Sequence, residues 1–140
     1  MSGAITRLQS AAIREAARTA KRAVCVLDAW YDTSRPAQAL ALEIDAWFKS
    51  IDRAKGQIHN LCPTASELVV RFPGREWTFA YTQHVAPRLV DLDQLDSEMR
   101  AHAIGAPDGA AFVVARDDLM SRARRVGVEE AGAIVFTARK

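Results

Sequence analysis

Apolar residues recur at helical spacing through the first half of the chain. Ile5, Leu8, Ala12, Ala16, Ala20, Ala23, Leu27 and Trp30 follow one another at steps of three and four. That spacing lines one face of a helix. Asp32-Thr33-Ser34 then interrupts, and each of these can cap a second helix with Pro36 tolerated in its first turn. In that second stretch Ala37, Leu40, Ile44, Trp47, Ile51, Ala54, Ile58 and Leu61 alternate strictly between steps of three and four. A seam of this kind reads as helix against helix, with Gly56 a point of weakness and Pro63 its end. The short connection predicts an antiparallel helical hairpin over residues 1–62. Its register sets Trp47 against Ala20, Ile51 against Ala16 and Leu40 against Leu27, large side chains facing small ones. The competing assignment is a short strand at Val24–Leu27.

The period changes after Pro63. Leu68, Val70 and Phe72 alternate with Glu67, Val69 and Arg71, and beyond Pro73-Gly74 so do Trp77, Phe79 and Tyr81 with Glu76, Thr78 and Ala80. Two such runs around a Pro-Gly pair predict a β-hairpin. Residues 91–103 read as a short acid-led helix with Asp93 as N-cap. Ala110–Ala115 and Ala133–Thr137 are continuous apolar runs, the mark of buried strands. A helix over Asp117–Arg125 between them predicts a βαβ crossover with parallel strands. The expected fold is α+β, or α/β-like: a long N-terminal antiparallel helical hairpin packed on a small mixed sheet, in a single domain over residues 1–140.

Composition narrows the class without naming a chemistry. The chain is 49% hydrophobic and 26% charged, with a net charge of +2. Alanine is abundant, at 26 residues, many of them in the first helix. No stretch approaches the roughly 20 apolar residues of a membrane span. Residues 1–22 have the alanine- and arginine-rich look of an organelle transit peptide, but their helical seam makes them part of the fold in this reading. Cys25 and Cys62 form no CxxC pair, so neither zinc nor redox chemistry is suggested. Two buried, reduced thiols in a cytoplasmic protein is the plain interpretation. In the expected hairpin Cys62 lies near Ile5, too far from Cys25 for a disulfide.

Catalytic signatures are missing. His59, His84 and His102 match no metal-ligand spacing, none of the seven serines sits in a GxSxG elbow, and no glycine-rich phosphate loop occurs. No cofactor is implied. The acids Asp91, Asp93, Asp96 and Glu98 suit the positive end of a helix dipole. One edge allows an enzymatic alternative. Asp117 and Asp118 follow a predicted strand end, where α/β folds place ligands, as do Arg139 and Lys140 after the last strand. With His84 from an irregular loop, these acids outline a small metal-dependent hydrolase or nuclease.

The charge pattern of the first helix is harder to dismiss. Arg7, Arg14, Arg18, Lys21 and Arg22 fall in one broad sector opposite the apolar seam. Residues 1–22 carry +4, residues 23–115 carry −4 and residues 116–140 carry +2. Like charges at Arg14, Arg18 and Arg22 are spaced one turn apart, which is mildly destabilising by about 0.2–0.5 kcal/mol per pair. A single-sign stripe kept at that cost points to an anionic partner. The reading is therefore a non-catalytic binding or regulatory protein that contacts a macromolecule through this basic helix. A protein surface is favoured, with DNA or RNA as the other class. Membrane attachment is not expected, and self-association through the helical seam is a further option.

Overall fold

An alanine-rich run sustains a helix over residues 7–19, and the Val-Cys-Val-Leu run that follows does not extend it. The computed structural model describes residues 7–59 and 62–140. In chain order it contains α1 (Arg7–Thr19), β1 (Ala23–Trp30), α2 (Pro36–Ala54), α3 (Ala65–Val69), β2 (Thr78–His84), α4 (Leu92–Ala103), α5 (Gly109–Val126) and β3 (Gly132–Arg139). Helices plus one antiparallel sheet make an α+β protein. The chain forms two compact units, one from residues 1–30, 60–85 and 132–140 and the other from residues 31–59 and 86–131. Among the described residues no helix is long and apolar enough to cross a membrane.

The helical hairpin expected over residues 1–62 is not formed. Thr19 turns its hydroxyl back to the carbonyl of Glu15 at 2.9 Å, and the chain leaves the helix there. Residues 23–30 are extended, so the strand at Val24–Leu27 is correct and longer than expected. The second helix ends at Ala54 rather than 61, with Gly56 just beyond it at φ +87°. Ile5 and Leu61, the outer positions of the expected seams, lie outside the described residues, as does the placement of Cys62 near Ile5. Cys25 is exposed and Cys62 half-buried, rather than both buried.

In the first unit β3 is the central strand, in the order β1-β3-β2, and both pairings are antiparallel. Its alternate residues Ile134, Phe136 and Ala138 are wholly buried. Phe136 and Ala138 share a core with Ile13 and Ala17 of α1, Val24, Leu68, Phe72 and Trp77. Phe72 is the hub, with ring centroids 5.2 Å from Trp77, 5.6 Å from Phe79 and 5.9 Å from Phe136. The expected β-hairpin across Pro73-Gly74 is absent. Its first arm is the helix α3, because the Thr64 hydroxyl caps the amide of Glu67 at 3.2 Å and donates to the Glu67 carboxylate at 3.1 Å, a local helix start. Only the second arm is a strand, and it pairs with β3.

The pairing also fixes the free edge of β1. The Lys140 amide donates to the carbonyl of Arg22 at 2.9 Å, which makes 22/140 a hydrogen-bonded pair. By alternation, Val24, Val26 and Asp28 bond to β3 while the amides of Cys25, Leu27 and Ala29 point outward. The last of these is occupied: Asp28 Oδ1 accepts from Ala29 at 2.7 Å.

The second unit is helical. Leu40, Ala41, Ile44, Trp47 and Ile51 of α2 meet Met99 and Ala103 of α4 and Leu119, Met120 and Ala123 of α5. The seam of α2 is therefore consumed within its own unit, and Trp47 donates its Nε1–H to the carbonyl of Phe112 at 3.0 Å rather than facing Ala20. Ala110–Ala115 is helix, not strand. Val113 and Val114 are 44% and 71% exposed, so no sheet draws them in, and the βαβ crossover with its parallel pair disappears. Asp91 rather than Asp93 caps α4, accepting from the Gln94 amide at 2.9 Å.

A polar network closes this unit where α2 begins. Gln38 is fully buried and donates to the carbonyl of Glu130 at 2.7 Å. Buried Glu129 receives the Arg35 guanidinium through Nη2 at 2.7 Å and Nε at 3.3 Å. Arg35 holds the Glu129 carboxyl below the usual carboxylate range, with Gln38 assisting and desolvation opposing.

Two outcomes follow. A methyl group at Gly132 would collide with the carbonyl of His84 and stand 2.9 Å from that of Trp30. Gly132→Ala should therefore lower unfolding free energy by about 1–3 kcal/mol in denaturant titration. The Glu129 carboxyl is depressed in the folded state, so its stabilisation is complete above the unfolded carboxylate value and is lost as pH falls through the folded one. Thermal melts should show stability declining below about pH 4, with Glu129→Gln removing part of that acid dependence.

Candidate functional site

The basic residues read from the sequence lie along α1 and on the turn that follows it, in the first unit. Ile13 and Ala17 bury one face of α1. Arg7, Arg14 and Arg18, spaced seven and four apart, project from the opposite face and are exposed. Lys21 and Arg22 continue the exposed charge through the turn into β1. Arg18 is partly neutralised by Glu15, bonded through Nε at 2.9 Å and Nη2 at 2.6 Å. The pairing holds the Glu15 carboxyl below its ordinary range and raises the Arg18 guanidinium. Both side chains are more than 60% exposed, so the pair adds little stability. Among the described residues Arg14, Lys21 and Arg22 have no acidic partner.

Two further cations join this turn, which the sequence reading assigned elsewhere. Antiparallel pairing sets Arg139 opposite Ala23. Lys140 donates from Nζ to the carbonyl of Ala20 at 2.9 Å and stands 5.0 Å from the centre of the Trp77 ring. The pairing of β3 with β1 thus carries Arg139 and Lys140 to the Lys21-Arg22 turn. Counted by unit, the first holds nine Lys and Arg against four acids and the second ten against thirteen. The net charge of +2 divides into +5 and −3.

The residues of the enzymatic alternative lie on two elements, α5 and β2. Asp117 and Asp118 lie in the middle of α5, away from any helix N-terminus, and adjacent helical positions diverge by about 100°. Asp117 accepts from Arg116 Nη1 at 2.6 Å, whereas Asp118 is 3.6 Å from Arg122, which also meets Glu43 at 2.5 Å. His84 closes β2, exposed, in the first unit.

Sequence reasoning missed a cluster on the other two histidines. Asp52, 8% exposed at the end of α2, bonds His59 Nε2 through Oδ2 at 2.5 Å and His102 Nε2 through Oδ1 at 2.6 Å. Phe48 packs its ring against His102 with centroids 5.0 Å apart. The residues lie seven and fifty positions apart, which is why no local motif flagged them. A carboxylate of this kind orients an imidazole. Here each ring takes its own oxygen, so the nitrogens do not converge on a common point. Among the described residues no group of three His, Cys, Asp or Glu is placed to hold a metal.

No protein-family model, no curated protein and no solved structure matches this chain.

The Asp52 clamp should stabilise the second unit. Asp52→Ala leaves two half-buried imidazoles without an acceptor and should cost about 1–3 kcal/mol. Adding His59→Ala and His102→Ala in the Asp52→Ala background should cost less than the same changes in the wild type, a coupling that a mutant cycle measures directly.

Proposed function

We propose that this chain is a non-catalytic binding or regulatory protein that holds an acidic macromolecular partner against the basic surface of its first unit. One observation carries the reading: among the described residues Arg14, Lys21 and Arg22 are exposed without acidic partners, and the pairing of β1 with β3 brings Arg139 and Lys140 to the Lys21-Arg22 turn. Like charges held together repel, and an anionic surface relieves that repulsion. A protein is the favoured partner. The cations are not interleaved with exposed aromatic rings, as single-strand stacking would need. The setting is the cytoplasm, where Cys25 and Cys62 would stay reduced.

Anisotropy titrations with a labelled Asp/Glu-rich peptide and with a duplex DNA probe test this. The wild type should bind the peptide more tightly than the DNA at physiological salt. Arg14→Glu with Lys21→Glu and Arg22→Glu should weaken capture by about tenfold or more, with unchanged helix content and melting temperature. Tighter, steeply salt-dependent DNA binding would assign nucleic acid instead. Binding that survives the charge reversal, or no binding to either probe, would sink the reading.

A further inference from the structure

A groove of about 340 Å³ accompanies the open edge of β1, wholly within the first unit. Strand residues 24–28 line it without interruption. Residues on one face of a strand recur at every second position, so contact with the whole run places the groove along the edge. Ala12, Ile13 and Ala16 of α1, with Pro63 and Leu68, make its walls apolar.

The edge gives the groove a hydrogen-bonding side. Alternation along the pairing with β3 turns both the amide and the carbonyl of Cys25 and of Leu27 outward. Among the described residues neither has a backbone partner on that side. Leu27 is also 71% exposed, an apolar side chain beside unpaired backbone. Asp28 closes the row by accepting from the Ala29 amide at 2.7 Å. The two ends of the edge carry opposite charge. Exposed Lys21 and Arg22 precede it, with Lys140 Nζ on the carbonyl of Ala20, and the Asp28 carboxylate ends it.

We propose that β1 takes an extended segment of a partner protein as an added antiparallel strand, apolar at alternate positions and acidic at its C-terminal end. Strand addition of this kind draws affinity from backbone bonds and specificity from alternate side chains. Guest residues opposite Cys25 and Leu27 exchange the hydrogen bonds. Those opposite Val24 and Val26 share the face on which Val24 meets Ile13 and Ala17, and so enter the groove. An antiparallel guest begins at Asp28 and finishes at Lys21-Arg22, so its amino end meets the carboxylate and its acids meet the cations. The acidic end rests on the function proposed above, whereas the pairing rests on the edge alone.

The full chain is titrated by calorimetry with the peptide Lys-Thr-Val-Thr-Val-Thr-Glu-Asp, which sets its valines opposite Val26 and Val24 and its acids opposite Arg22 and Lys21. Saturable binding is expected, with slowed hydrogen exchange at the Cys25 and Leu27 amides. N-methylation of the threonine opposite Cys25 removes a donor facing β1 and should weaken binding by about tenfold or more. The same change at the valine opposite Val26, whose amide faces away, should leave the affinity unaltered. Ala12→Glu, at an exposed helix position lining the groove, should weaken binding while the melting temperature holds. A scrambled peptide ending in the same two acids should bind more weakly. If it binds as tightly, the acidic-partner reading stands and the added strand falls. Equal effects of the two N-methyl groups, or no binding, would also overturn the proposal. Lys21→Glu with Arg22→Glu tests the acidic end separately. Weakened binding supports it, and unchanged binding with the N-methyl contrast intact removes the acidic reading while keeping the strand.

Discussion

The first unit depends on one strand. β3 is hydrogen-bonded on both sides, to β1 and to β2, and without it neither outer strand has a partner. Its inward residues Phe136 and Ala138 are the floor of the core on which α1, Phe72 and Trp77 rest. Gly132 lets it begin between two carbonyls with no side chain to accommodate. Because β3 is made last, β1 must wait more than a hundred residues for its pairing partner. Contacts of such separation are slow to form. The helical core of the second unit, drawn from residues 31–59 and 86–131, is complete in sequence before β3 is synthesised.

Helices were legible in the sequence where large apolar residues carried the pattern. Leu40, Ile44, Trp47 and Ile51 define α2, and capping acids mark the start of α4, with the cap itself shifted from Asp93 to Asp91. The pattern misled where alanine carried it. Alanine fits a helix face, a strand or a solvent position equally well, so the seam of α1 seemed to run on through Ala23 when the residues between were Val, Cys and Leu. The misreading at Ala110–Ala115 is the converse. Two valines suggested a buried strand, yet both face outward on a helix whose alanines set its propensity. Period two at residues 67–72 lost to a threonine cap. In the candidate site the helix cations were visible from spacing alone. Arg139 and Lys140 required the antiparallel pairing, and the Asp52 cluster required tertiary structure.

The division of charge follows the division into units. A chain that is nearly neutral as a whole carries its excess of cations on the sheet-bearing unit and its excess of acids on the helical one. The acids of the second unit are largely engaged in Arg35–Glu129, Lys49–Asp45 and Arg122–Glu43 pairs and in the histidine clamp. The cations of the first unit have fewer partners. Potential at its surface is therefore set by uncompensated side chains, and salt at physiological strength limits its reach to about 8 Å. A charged group must come close to sense it.

The bond from the Ala29 amide to the Asp28 carboxylate has a consequence for life at high concentration. An open strand edge is a template on which another chain can add itself, and each outward amide is a rung of that template. By folding its own carboxylate over one rung, and placing a negative charge there, β1 shortens the stretch that a foreign strand could zip onto. The sheet thereby resists growing into a fibre from this side, using a single residue that contributes nothing to its core.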